Sequence, residues 1–221
     1  MGSQPTAAFV APFVALLACL AIFGTLPVSP RVRETAFIAV VSATLWISSR
    51  SVLDFRPRSV ISSTLIGVAI FVLWVAPDSI SSGYRHSLIF ENPLMGMARS
   101  SLPDSVRQDG FTLIVRSLRA VVLVPIAEEL FWRGWLMRWL VRPEFADVAL
   151  GTFRPLSFVV TAILFASEHG PYWDVGLIAG IIFNLWMIRQ KRLADLFIAH
   201  AAANACLSAY AIAFEKWEYW L

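Results

Sequence analysis

The sequence predicts an all-α fold, a polytopic bundle of about seven transmembrane helices, and three observations predict it. Of the 221 residues, 58% are hydrophobic and only 15% charged, with a mean hydropathy of +0.69, far from the balance of a soluble domain. The apolar residues fall in runs close to the about 20 residues that cross a bilayer. Short segments rich in Pro, Arg, Asp and Ser separate those runs. One integral membrane domain over residues 1–221 is the organisation expected.

Each run has its own start and stop. Residues 7–26 are long enough to cross and lack the Lys/Arg-rich start of a secretory signal, so they read as a retained first helix. Pro27, Pro30, Arg31 and Arg33 interrupt before a second span over 35–53, diluted by serines and Arg50. Asp54, Arg56, Pro57 and Arg58 form the next loop, and the third span, 60–76, stops at Pro77-Asp78. Residues 78–110 turn to Ser, Gly, Pro, Arg and Asp around short apolar pieces. They read as a polar loop with an interfacial element, too short to bury a core of its own. The fourth span covers 111–141, the fifth 155–169 up to Gly170-Pro171, the sixth 172–188 and the seventh 193–214. Gly176 and Gly180, four apart in the sixth, allow a neighbouring helix to approach closely.

Composition also excludes classes. Nine Trp and sixteen Phe suit lipid-facing and interfacial positions. The net charge of +3 is spread over short loops, which gives no case for nucleic acid as a partner. Cys19 and Cys206 lie in separate apolar runs and suggest packing, with neither a disulfide framework nor a metal knuckle. Lys and Arg are denser in the second, fourth and sixth loops, and the positive-inside rule then places the N-terminus in the cytoplasm.

The fourth span carries the chemistry. Glu128, Glu129 and Arg133 stand inside an otherwise apolar run, where each ionised group costs roughly 2.5–3.5 kcal/mol, so such residues normally face partners or a cavity. Residues four apart share a helix face, which pairs Glu129 with Arg133, while Glu128 projects about 100° away as the free carboxylate suited to general acid/base work. Pro125, just ahead of them, frees a backbone carbonyl and permits a kink. Two of the three histidines fall in later spans. His169 closes Phe165-Ala166-Ser167-Glu168-His169, and His200 stands four before Asn204 on an alanine-rich face that leaves room for approach. A satisfied structural hydrogen bond is the bland reading of either histidine alone. Glu168, beside His169, either tunes the histidine or lies at the membrane surface, and the second is expected.

At these residues the chain resembles the CAAX protease and bacteriocin-processing membrane proteins (CPBP, or Abi, family), whose patterns E-E-x-x-x-R, F-x-x-x-H and H-x-x-x-N occur here in order. They are Glu128-Glu129 with Arg133, Phe165 with His169, and His200 with Asn204, within residues 121–205. The short chain and its N-terminal region also resemble the bacterial subgroup found with exosortase systems. The resemblance implies an intramembrane glutamate-dependent endopeptidase. Glu128 with His169 would activate water, His200 and Asn204 would stabilise the oxyanion, and Glu129 and Arg133 would support the site. It implies a peptide or protein substrate, the lipid bilayer and an exosortase-type processing system as partners, and a bacterial inner (plasma) membrane location. No cofactor and no metal are expected.

Competing readings come from the same residues. Two Glu and two His suit zinc, but H-E-x-x-H is absent and Arg133 would repel a cation. A non-catalytic binding or immunity protein, or an assembly partner of the same fold, would keep the charges as a structural network. A proton-relay transporter lacks the internal repeat that many transporters show.

Overall fold

A computed structural model describes residues 5–100 and 102–220; Ser101 of the expected loop and Leu221 of the tail lie outside the described residues. The described residues form helices without a named strand, the fold expected of a polytopic membrane bundle. In order they are α1 (Pro5–Phe23), α2 (Pro30–Thr44), α3 (Val60–Ile80), the short α4 (Asp104–Arg107), α5 (Gly110–Trp139), α6 (Pro155–Ser167), α7 (Trp173–Gln190) and α8 (Leu193–Ala213). Five of them, α1, α3, α5, α7 and α8, are long and apolar enough to cross a membrane.

The two remaining expected spans differ from that description. Helix α2 is capped by Ser29, whose hydroxyl accepts from the Val32 amide, starts on Pro30, and widens into a π-type turn over Leu45–Ser49. It is not among the five long apolar helices. Helix α6 has 13 residues, with Pro155 at its first turn, and the chain turns over before Gly170. His169 therefore stands just past the end of a short helix. In α3 the helix does not stop at Pro77 but continues to Ile80, the Pro77 carbonyl accepting from the Ser81 amide.

Helix α5 is the axis. It contains two wide turns, Arg119–Leu123 and Leu130–Leu136, on either side of the carboxylates. Pro125 explains the first. The Val124 amide reaches back five residues to the Arg119 carbonyl, and the next residue, Pro125, has no N–H for the Ala120 carbonyl. Helix α1 packs on the second, where a Cβ at Gly134 would meet the Phe9 ring at 2.7 Å. Phe13 of α1 stacks on Phe131 at 4.3 Å, anchoring an aromatic core against α5.

Helices α3 and α8 form the closest pair, because a Cβ at Gly67 would collide with the Ala199 carbonyl and approach Ala202. Ala199 and Ala202 of the small face are thus packed by α3, while Ala203, His200 and Asn204 keep open space beside them. Outward, Leu17 and Leu20 on α1, Ile61 and Leu65 on α3, and Leu156 and Ile163 on α6 are exposed, as lipid-facing positions require. Cys19 is buried and Cys206 half-buried, both free thiols.

The 78–110 segment is clasped rather than loose. Arg85 is buried, with Nε donating to Asp78 (2.9 Å) and Nη1 to Asp174 (2.8 Å) and the Pro171 carbonyl (2.8 Å), its guanidinium 4.2 Å from the Tyr172 ring centroid. Further along, the Met95 carbonyl lies against Gly170, 2.7 Å from where a Cβ would stand.

Candidate active site

The wide turns of α5 present Glu128 and Glu129 in different directions. Glu129 is fully buried, and its Oε1 accepts from Arg133 Nη1 and from His200 Nδ1, both at 3.0 Å. Arg133 is equally buried and fully engaged. Its Nε donates to Asn184 Oδ1 at 2.9 Å, Nη2 to the Gly180 carbonyl at 3.3 Å, and its plane lies 4.4 Å from the Phe165 ring centroid. Asn184 in turn donates from Nδ2 to the Phe158 carbonyl at 3.0 Å, tying α7 to α6. Glu129 and Arg133 form the four-apart pair that the sequence suggests, but as the centre of a four-helix network.

Glu128 is different. Its Oε2 is buried without a hydrogen-bond partner among the described residues and lies 3.9 Å from His200 Nε2, too far for a direct bond. Glu128 lines a cavity of about 470 Å³ that also receives His169, His200, Asn204 and Glu168. A carboxylate withdrawn from water and given no donor is costly unless it works on something the cavity admits.

The histidines are oriented by their inner nitrogens. His169 Nδ1 is 2.7 Å from the Phe165 carbonyl, an atom that can only accept, so Nδ1 carries the hydrogen and Nε2 is the nitrogen left for chemistry. Gly176 makes this possible, because a Cβ there would come within 3.1 Å of His169 Nδ1. Gly180 likewise keeps α7 close to Phe165 and Ala162. His200 is held the same way, Nδ1 on Glu129 and its ring stacked on Phe183 at 5.0 Å, leaving Nε2 toward Glu128.

Asn204 answers the broken helix. Its Nδ2 donates at 2.8 Å to the Ala120 carbonyl, the one that Pro125 leaves without a helical donor. One amide hydrogen is therefore committed to structure. The second Nδ2 hydrogen and Oδ1 remain on a residue that lines the cavity.

All six residues singled out in the sequence thus meet here: Glu128, His169, His200 and Asn204 around the cavity, Glu129 and Arg133 behind it. Two further residues take part. Glu168 is exposed, as expected, but it also lines the cavity and accepts from Trp132 Nε1 at 3.0 Å. Asn184 carries no charge to betray it, yet it stands four past Gly180 on the face that begins at Gly176. That spacing was the available signal. Among the described residues no group of three or more His, Cys, Asp or Glu side chains is arranged to hold a metal ion.

The family model described as type II CAAX prenyl endopeptidase Rce1-like matches residues 110–206, the stretch from the start of α5 into α8 that supplies every residue above. No curated protein and no solved structure matches the chain.

Proposed function

From residues 110–206, which belong to the Rce1-like family of type II CAAX prenyl endopeptidases, we infer that this membrane-embedded peptidase uses Glu128 as its catalytic base. The observation that carries the reading is the asymmetry of the two carboxylates. Glu129 is held at Oε1 by Arg133 and His200 and lies behind the cavity wall, whereas Glu128 faces the cavity with an Oε2 that has no partner among the described residues.

In the proposed reaction, Glu128 takes a proton from a water admitted to the cavity, with His169 Nε2 as the second acceptor that orients it. The resulting hydroxide attacks the carbonyl carbon of a bound peptide. The tetrahedral oxyanion is met by the free Asn204 Nδ2 hydrogen and by an N–H at His200 Nε2. The proton held by Glu128 then passes to the leaving amine as the C–N bond breaks. The Arg133–Asn184–Glu129 network fixes His200 and takes no part in proton transfer.

Lys and Arg concentrate in the loops around Arg56 and Arg58, Arg138 to Arg154, and Arg189 to Arg192. On that distribution we place the N-terminus in the cytoplasm of a bacterial plasma membrane. The exosortase-like resemblance of the N-terminal region suggests a processing system as the source of substrate.

Proteolysis of a peptide library by the purified protein and by Glu128→Gln, with and without phenanthroline, tests the chemistry. Cleavage lost in the variant and retained with the chelator is expected. Cleavage by Glu128→Gln at the parent rate would overturn the assignment, and cleavage abolished by phenanthroline would replace it with a zinc mechanism.

A further inference from the structure

Past Ala213 the chain reverses direction. Glu215 takes the left-handed conformation at φ 55°, and the turn Trp217–Tyr219 lays the next residues back along the bundle. Tyr219 and Trp220 then form part of the wall of the same cavity that holds Glu128. Trp220 is buried. Its Nε1 lies 3.4 Å from Ser208 Oγ, its carbonyl accepts from Arg116 Nη2 at 3.5 Å, and its ring centroid is 5.5 Å from that guanidinium. Tyr219 donates its hydroxyl hydrogen to Asp78 Oδ2 at 3.1 Å, and Tyr172 donates to the Glu218 carbonyl at 3.2 Å.

The position of Trp220 along the seam between α5 and α8 is what matters. On α8, His200, Asn204 and Ser208 follow one another at four-residue steps, and on α5 so do Arg116, Ala120, Val124 and Glu128. The Asn204–Ala120 bond crosses the seam one rung from His200, and Trp220 fills the next rung between Ser208 and Arg116. An indole in a slot, with its own backbone carbonyl held by a guanidinium, is how a residue of a bound peptide is gripped.

We propose that this end of the cavity is a subsite for an aromatic or large apolar side chain of a peptide substrate, and that the chain's own Trp217–Trp220 segment occupies it as a displaceable plug. Only the identity of the guest, a peptide to be cut, rests on the endopeptidase reading. The plug is held by single hydrogen bonds and by ring contacts of Tyr219 with Tyr172 and Tyr210 and of Trp217 and Trp220 with Arg107 and Arg116, contacts that an aromatic peptide can make in its place, so such a peptide competes for the same rung.

The test is a binding measurement that needs no turnover. A fluorescein-labelled peptide Lys-Trp-Glu-Tyr-Trp, which copies the segment, is titrated by fluorescence anisotropy against the full chain in detergent, in the Glu128→Gln background. Trp220→Ala in that background is expected to lower Kd at least about tenfold. Tyr219→Phe removes one hydrogen bond and no volume, so it keeps the fold and is expected to lower Kd about threefold. Unchanged or weaker binding in Tyr219→Phe would overturn the plug, whatever becomes of Trp220→Ala. The two readings separate cleanly. Tighter binding with no cleavage by the Glu128 protein keeps the plug and removes the peptidase mechanism, whereas cleavage without tighter binding does the reverse.

Discussion

Asp195 and Glu128 are both carboxylates withdrawn from solvent in membrane-length helices, and their surroundings are opposite. Asp195, in the first turn of α8, accepts from the Arg58 amide (2.8 Å), the Ser59 amide (2.9 Å) and the Ser63 hydroxyl (3.1 Å). It caps the start of α3, whose own Ser59 makes no side-chain cap. Every lone pair that burial would orphan has a donor, and the residue is finished as structure. Glu128 Oε2 has no donor among the described residues and a cavity in front of it. Burial alone does not mark a functional charge; burial without satisfaction, beside space, does.

The sharpest way to break this contrast is to neutralise each carboxylate. Glu128→Gln keeps the shape and removes the proton acceptor, so peptide cleavage is expected to fall by at least about 10²-fold, the lower range for losing a general base. Its thermal midpoint should stay near that of the parent, because Oε2 makes no bond to lose. A variant that both unfolds and loses activity would erase the distinction. Arg133→Ala comes next. It strands Glu129 in the core, and breaking a buried pair costs about 3–5 kcal/mol, so yield and thermal midpoint should drop together with activity. A stable but inactive Arg133→Ala protein would move the guanidinium from scaffold to substrate contact.

These expectations show how much could be read before the structure. Charges in an apolar run announce themselves, and the four-residue spacing correctly pairs Glu129 with Arg133 because local helix geometry decides it. What the linear pattern cannot carry is the partner that comes from another helix. His200 reaches Glu129 from 71 residues away, and Asn204 reaches the Ala120 carbonyl across 84. Pro125 signalled a freed carbonyl but not which residue would claim it. Glu34, buried in α2 with Arg116 and Arg119 each 3.2 Å away, shows the same limit, since the carboxylate stands more than 80 residues before the two arginines it joins. Glu168 is exposed, as a residue that follows the apolar run should be, but its place at the cavity was not in the linear pattern. The short α6 ends before it, and the turn at Gly170 brings it to the cavity.

Asp195→Ala gives the structural half of the comparison a smaller, separable effect. Removing the cap leaves the amides of Arg58 and Ser59 without their acceptor, a loss of about 1–3 kcal/mol in stability. Cleavage per folded molecule should be unchanged, measured as kcat on protein that survives gel filtration. A fall in kcat with no change in thermal midpoint would mean that Asp195 belongs to the chemistry after all.

The smallest effect probes a carboxylate outside the membrane-spanning segments. Asp109 precedes α5 and accepts from Arg31 Nε and Nη2, both at 2.8 Å, and from Thr112 Oγ1 at 2.6 Å. The Arg31 bonds and then the Thr112 bond hold its carboxyl well below the usual carboxylate range. A carboxyl lowered by folding contributes stability that is complete above its unfolded pKa of about 3.9 and is lost as pH falls through the folded value. Asp109→Asn should therefore lower the thermal midpoint slightly and evenly between about pH 5 and 7, and the gap from the parent should narrow as pH drops below about 4. Arg31 is largely exposed, so salt should narrow the gap as well. A gap that stays constant down to pH 3 would show that the Asp109 contacts hold the start of α5 by shape alone, and would place this residue with Asp195 as a cap instead of an ion pair.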